Sequence, residues 1–137
     1  MKKKRPYKQV VLPTIFRFSH EVENKLQLIP HQMLDALRRG VGGEEAFHTL
    51  AARLNVGMVC VQRHWPENAL ANESMNAALH ALVSVQHRFV DSTKWGLSGD
   101  EFKAMGIGLN LTDEAQLNLT RRQFGDALEY VIKVAST

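Results

Sequence analysis

A stretch in the middle of the chain most constrains the fold, because it contains neither proline nor glycine from Glu67 to Trp95. Large apolar residues recur along it at the spacing of one face of an α-helix. They are Met75, Leu79, Leu82 and Phe89. The stretch predicts a long helix that begins after Pro66, ends between Asp91 and Gly96, and organises the rest of the fold. One side of this helix carries small side chains, which would let a neighbouring helix pack closely against it. They are Ala69, Ala71, Ala77, Ala78 and Ala81.

The segment before this stretch predicts three further helices. Ser19 is a favourable N-cap, and Pro30 either ends a first helix or occupies the first position of a second. The run Arg38-Arg39-Gly40 is typical of a helix C-terminus. Glu44-Glu45 opens a third helix, because acidic side chains favour the first turn. Its apolar residues follow three or four apart: Phe47, Leu50, Leu54, Met58, Val61 and Trp65.

The segment after the stretch predicts two shorter helices. Ser98 and Glu101 fit a capping box at the start of one helix. Thr112-Asp113-Glu114 is expected to cap the last helix. With almost no strand signal, the predicted fold class is all-α: a compact bundle of five or six helices over residues 19–137.

Residues 1–18 are predicted to form an extended arm, because Pro6 and Pro13 exclude a helix through them. The chain has a net charge of +3, but the first eight residues alone carry +5 and no acid, so the remainder sums to −2. The five cations are Lys2, Lys3, Lys4, Arg5 and Lys8. The apolar residues of the arm, from Val10 to Phe18, are expected to pack on the helical body or on a second subunit.

The sequence favours a cytoplasmic protein without catalytic chemistry. The lone Cys60 excludes an internal disulfide, and no apolar run approaches the length of a membrane span. His80 and His87 share a helix face but are separated by a rise of roughly 10 Å, too far to bind one metal ion. The paired acids at predicted helix starts are explained by the helix dipole. We therefore predict no enzyme activity, no cofactor and no metal.

Residues 50–57 match the first helix and turn of a helix-turn-helix motif, with Asn55 at the turn. The segment that would then read DNA is mostly apolar, and only Gln62 and Arg63 could contact bases or phosphates. An uninterrupted amphipathic helix explains the same residues. Both interpretations remain open from sequence.

Two patches are candidates for binding a partner protein. One is the turn that carries Lys94, Trp95 and Leu97, where an aromatic residue lies beside a cation. The other is Arg121 and Arg122, next to the apolar seam of the last helix. Each has a simpler explanation, in which the tryptophan covers the bundle and the arginines extend to solvent.

The layout resembles that of small uncharacterised proteins encoded by temperate phages and prophages. The resemblance covers the basic start, residues 50–57, residues 94–101 and residues 120–124. It implies a context rather than an activity: small phage proteins without active sites commonly bind a host or phage macromolecule.

Three functions follow as hypotheses. The first is stoichiometric binding of a host or phage protein, for example to inhibit or redirect a host system. The alternative is a nucleic-acid-binding regulator that uses the basic arm and residues 50–64. The third is a homo-oligomer formed through the arm and the alanine-rich helix side.

Overall fold

The computed structural model describes residues 20–135, with side chains described from residue 28 onward. It contains helices α1 (His20–Arg38), α2 (Gly43–His64), α3 (Ala69–Ser92), α4 (Gly99–Asn118) and α5 (Arg121–Ala135). Every regular element in this part of the chain is a helix, which confirms the predicted all-α bundle. The predicted arm, residues 1–18, lies outside the described residues.

Helices α2 and α4 form the centre of the bundle. Helix α3 is the longest, with 24 residues, whereas α2 and α4 each pack against all four of the other helices. Nine residues of α2 are buried: Ala46, Phe47, Leu50, Leu54, Val56, Gly57, Met58, Cys60 and Val61. The long helix predicted after Pro66 is present as α3, and it forms the main core together with α2 and α4.

The helix-turn-helix interpretation of residues 50–57 is also wrong, because α2 runs without a break to His64. Asn55, the expected turn residue, is helical and donates a hydrogen bond from its side chain to the Ala51 carbonyl at 2.7 Å. Met58, Cys60 and Val61 are buried in the bundle. Burial of these residues stabilises continuous helix at a point where a turn would expose them to water.

Two predicted helix boundaries are absent. Helix α1 continues through Pro30, which is itself buried, and the two turns after it bury Leu34 and Leu37. This burial offsets the backbone hydrogen bond that proline cannot make. Helix α4 likewise continues through Thr112, which is fully buried and donates its hydroxyl hydrogen to the Gly108 carbonyl at 2.8 Å.

The starts of α4 and α5 are each held by a reciprocal cap. The predicted Ser98–Glu101 capping box is present, with hydrogen bonds of 2.8 and 3.1 Å. Helix α5 begins with an equivalent pair, in which Thr120 Oγ1 accepts from the Gln123 amide and Gln123 Oε1 accepts from the Thr120 amide. The last helix therefore starts at Arg121, capped by Thr120, and not at Thr112–Glu114 as predicted.

Helices α2, α3 and α4 meet at two glycines. A Cβ on Gly57 of α2 would overlap the Thr112 side chain of α4. A Cβ on Gly108 of α4 would lie 2.6 Å from Ala78 Cβ and 2.8 Å from Leu54 Cδ2. Neither distance is a tolerable contact, so glycine is required for this packing. Ala71, Ala78 and Ala81 are buried, so much of the predicted alanine-rich side serves the bundle itself.

We expect Gly108→Ala to destabilise the protein by about 2 kcal/mol, because the added methyl group pushes α4 away from α2 and α3. The measurement is urea unfolding followed by circular dichroism. Gly106→Ala is the matched control, since the nearest atom to its Cβ would be Leu34 Cδ2 at 3.9 Å. That variant should gain about 0.5–1 kcal/mol from helix propensity. Equal stability of the two variants would contradict the tight packing at Gly108.

Candidate partner-binding surfaces

The turn that carries Lys94, Trp95 and Leu97 closes the bundle at one end. The Trp95 ring stacks between Phe89, at a centroid distance of 4.0 Å, and Phe47, at 4.9 Å. Leu97 also packs against the main core. Lys94 alone of the three is exposed. Trp95 therefore packs on the core, and it does not form an exposed aromatic anchor beside a cation.

Arg88 and Glu101 fix this turn to the two helices that flank it. Arg88 donates to the Gly96 carbonyl at 3.0 Å and forms an ion pair with Glu101. Burial opposes ionisation of Glu101, but hydrogen bonds from Arg88 and Ser98 outweigh it and lower the pKa of the carboxyl group. These contacts hold the turn between α3 and α4 in place, which agrees with the interpretation that Trp95 covers the end of the core.

The other predicted contact residues lie apart from this turn. Arg121 and Arg122 are exposed in the first turn of α5, and the length of α4 separates them from Lys94. Gln62 and Arg63 are exposed at the end of α2, where the Arg63 guanidinium lies 4.9 Å from the centre of the Tyr130 ring. The five N-terminal cations lie outside the described residues.

A polar cluster that the sequence did not predict joins α1, α2 and α4. Arg53 Nη2 donates to Asp113 Oδ1 and to Gln116 Oε1, each at 2.8 Å. The other Asp113 oxygen lies 2.8 Å from His31 Nε2. Arg53 is only 13% exposed, and its guanidinium lies 5.4 Å from the centre of the Phe124 ring of α5.

The geometry of this cluster indicates that it holds α1, α2 and α4 together, and we call it the Arg53 clamp. Both oxygens of the Asp113 carboxylate are occupied by protein groups, and the charge of Arg53 is compensated inside the bundle. Contacts across 60 and 82 residues of chain cannot be read from local spacing. The signal in the sequence that could have indicated this cluster is Arg53, a charged residue that lies between the apolar residues Leu50 and Leu54 of α2.

A second feature missed from sequence is a groove of about 520 Å³ at the end of the bundle opposite Trp95. It lies between the end of α2, the start of α3 and the end of α4. Trp65 forms part of its wall, together with apolar residues Val61, Ala71, Leu111 and Ala115. Its polar lining residues are Asn68, Glu114 and Asn118. We call this feature the Trp65 groove.

Local capping positions the side chains of the Trp65 groove. Helix α2 ends at His64, and the carbonyl of Trp65 accepts a hydrogen bond from the Asn72 amide group at 3.2 Å. Asn68 is the N-cap of α3 and accepts from the Ala71 amide at 3.0 Å. Asn118 donates to the Glu114 carbonyl in the last turn of α4. The groove is therefore built on ordered backbone.

Hydrophobic side chains are also exposed at this end of the molecule. Leu70, in the first turn of α3, is 76% exposed, and Leu117, in the last turn of α4, is 75% exposed. These are the largest exposed fractions among the large hydrophobic residues described. Exposed apolar surface beside a groove is typical of an interaction site.

Within residues 20–135 we find no cluster of His, Cys, Asp and Glu that could hold a metal ion. Burial raises the pKa of the Cys60 thiol to about 11, so it is protonated at neutral pH. No described helix is long and apolar enough to span a bilayer.

Comparison with protein-family models, curated proteins and solved structures gave no match to this chain.

Asp113→Ala is expected to destabilise the protein by about 2–3 kcal/mol, because it leaves the charge of the largely buried Arg53 without its carboxylate partner. The matched control is Asp35→Ala, which removes exposed ion pairs to Arg38 and Arg39. Exposed pairs contribute little, so this control should lose much less. Thermal or urea unfolding measures both, and equal losses would show that the cluster is not a clamp.

Proposed function

We propose that this protein is a non-enzymatic binding protein that holds an apolar segment of another protein in the Trp65 groove, with one partner bound per chain. The observation that supports this most is the groove itself, which is lined by a half-buried tryptophan and four further apolar residues together with the polar residues Asn68, Glu114 and Asn118. Pockets that bind other molecules commonly combine apolar lining with a few placed polar groups.

The apolar residues of the lining would supply part of the affinity. Burying one leucine or phenylalanine side chain of a partner contributes roughly 1.5–3 kcal/mol. Tryptophan is enriched among the residues whose truncation costs the most binding energy. Leu70 and Leu117, both exposed at this end, would extend the contact beyond the groove.

The charge of the groove favours a partner segment that also carries a lysine or arginine. Glu114 is the charged lining residue. The last turn of α4 contains no basic side chain, so the partial negative charge at this helix C-terminus is not offset there. A cation on the partner would therefore meet favourable potential at this position.

The resemblance to small prophage proteins supports a partner that belongs to the host cell or the phage. Binding of this kind would inhibit or redirect the protein that supplies the segment. The turn at Lys94 would contribute an exposed cation at the other end of the bundle, whereas Arg121 and Arg122 follow the lining residue Asn118 by three and four residues.

The test is selection from a random twelve-residue peptide library against the full-length protein, followed by calorimetry of the enriched peptides. We expect enrichment of peptides that combine large apolar residues with lysine or arginine. Glu114→Lys should weaken their binding about tenfold or more, because it reverses the charge beside the partner's cation.

Asp91→Lys is the matched control, since it makes the same charge change in the last turn of α3, roughly 30 Å from the groove. Peptide binding to Asp91→Lys should equal binding to the unmodified protein. Absence of enriched peptides would contradict the proposal. Equal weakening by both substitutions would show that binding depends on net charge and not on the groove.

A second candidate function is electrostatic binding of nucleic acid through the arm, favoured by the +5 charge of residues 1–8. We expect a gel shift at low salt that disappears at moderate salt, because phosphate contacts release counterions. Replacing Lys2, Lys3, Lys4, Arg5 and Lys8 with glutamine should abolish it. A protein that binds no nucleic acid at low salt does not have this function.

A further inference from the structure

Helix α1, to which the predicted arm is attached, begins at the end of the bundle that carries the Trp65 groove. It runs antiparallel to α4, because His31 lies 2.8 Å from Asp113 while Arg38 lies over the Phe102 ring. From His31 back to its first residue α1 spans roughly 16 Å, whereas α4 rises only about 8 Å from Asp113 to its last residue, Asn118. The chain therefore enters α1 from beyond the end of α4.

An exposed leucine of α4 lies between the start of α1 and the groove. Successive residues of a helix are turned by about 100°, so Leu117 projects about 40° from Asp113 and about 60° from Glu114. Asp113 contacts α1, and Glu114 lines the groove. Leu117 is 75% exposed. A chain that passes from α1 into the groove would cross Leu117 within about one helix diameter, roughly 10 Å.

The second half of the arm has the composition of a segment that an apolar groove binds. It reads Val10-Val11-Leu12-Pro13-Thr14-Ile15-Phe16-Arg17-Phe18. Pro13 excludes a helix there, and Leu12 is eight positions before the first residue of α1. At about 3.3 Å per residue this gives a reach of roughly 26 Å. The apolar run can therefore cross the end of α4 and enter the groove.

We propose that residues 10–12 occupy the Trp65 groove of their own chain, and that Ile15 and Phe16 cover Leu117 on the way. This inference rests on the proposed function of the groove and adds its regulation. A partner segment binds by displacing the arm, so the arm sets the affinity that a partner must exceed.

The charges of the arm agree with this placement. Lys8 comes just before the apolar run, and Arg17 lies within it. Glu114 lines the groove, and the last turn of α4 has no basic side chain, so a cation beside them is stabilised. Arg121 and Arg122 open the next helix. We therefore assign the larger share of the contact to the apolar side chains.

The short connection to α1 makes a weak contact sufficient. Short linkers hold a segment at an effective concentration in the millimolar range, so a segment that binds with a Kd of about 1 mM as a free peptide would fill the groove for much of the time. The apparent Kd of a partner rises in inverse proportion to the fraction of open groove. An arm bound for about 70–90% of the time lowers the affinity about three- to tenfold.

Oxidative crosslinking of the full-length chain tests the position of the arm. Leu12→Cys combined with Asn118→Cys should form a disulfide within one chain. The matched control combines Leu12→Cys with Gln32→Cys, because Gln32 is exposed and lies roughly 18 Å along α1, within reach of an unbound arm. This control should crosslink about tenfold more slowly, because its effective thiol concentration is lower. Leu12→Cys alone measures any reaction with the buried Cys60.

Equal crosslinking rates for the two pairs would overturn the inference. A disulfide that joins two chains would also overturn it, because the arm in the groove would then belong to a second copy.

Calorimetry with the peptides enriched on the groove tests the regulation. Leu12→Asp should strengthen their binding about three- to tenfold, because a carboxylate in the apolar run releases the arm. Gln9→Asp is the matched control, since it makes the same charge change at a polar position, and it should bind like the unmodified protein.

Unchanged peptide affinity in Leu12→Asp would overturn the inference and leave the proposed function standing. If the peptides bind neither variant nor the unmodified protein, the proposed function fails, and the crosslinking rates still decide whether the arm lies in the groove.

Discussion

The close approach of α4 to α2 and α3 is the constraint on which the rest of the structure depends. Gly57 admits the Thr112 side chain, and Gly108 admits Ala78 and Leu54. Thr112 satisfies its own hydroxyl by donating to the Gly108 carbonyl, so a polar side chain is buried without an unmet hydrogen bond. At this separation the apolar faces of all three helices interlock around Met75, Leu54 and Leu109.

The same packing sets the positions of the two ends of the bundle. At one end, Trp95 fills the space between Phe47 and Phe89 and closes the core. At the other, α2 ends at His64 and α3 starts after Asn68, which leaves Trp65 beside the last turn of α4. One tryptophan therefore serves stability, while the other lines a groove that a partner could occupy.

Much of the fold could be predicted from sequence because its signals are local. Helical spacing identified α2 and α3, and the Ser98–Glu101 box identified the start of α4. Predictions failed where packing overrides a local signal. Pro30 and Thr112 both look like boundaries, yet burial of the surrounding helix faces outweighs the local preference.

The candidate sites were less predictable, because they depend on which helix ends meet. The position of Trp95 beside Lys94 predicts a partner contact, but whether a tryptophan faces a core or a partner is decided by residues such as Phe47, far away in sequence. Trp65 was assigned only to an apolar seam, and Glu114 only to a helix cap. The Trp65 groove exists because α4 extends past the predicted boundary to Asn118.

The central claim is that α2 is one continuous helix held by α4, so that the chain offers a groove at the end of α2 in place of a DNA-reading helix. Native-state hydrogen exchange of backbone amides tests it most directly. The amides of residues 54–61 should exchange only with global unfolding, at the same free energy as those of residues 105–115. Early exchange confined to residues 55–58 would show a turn within α2 and contradict this account.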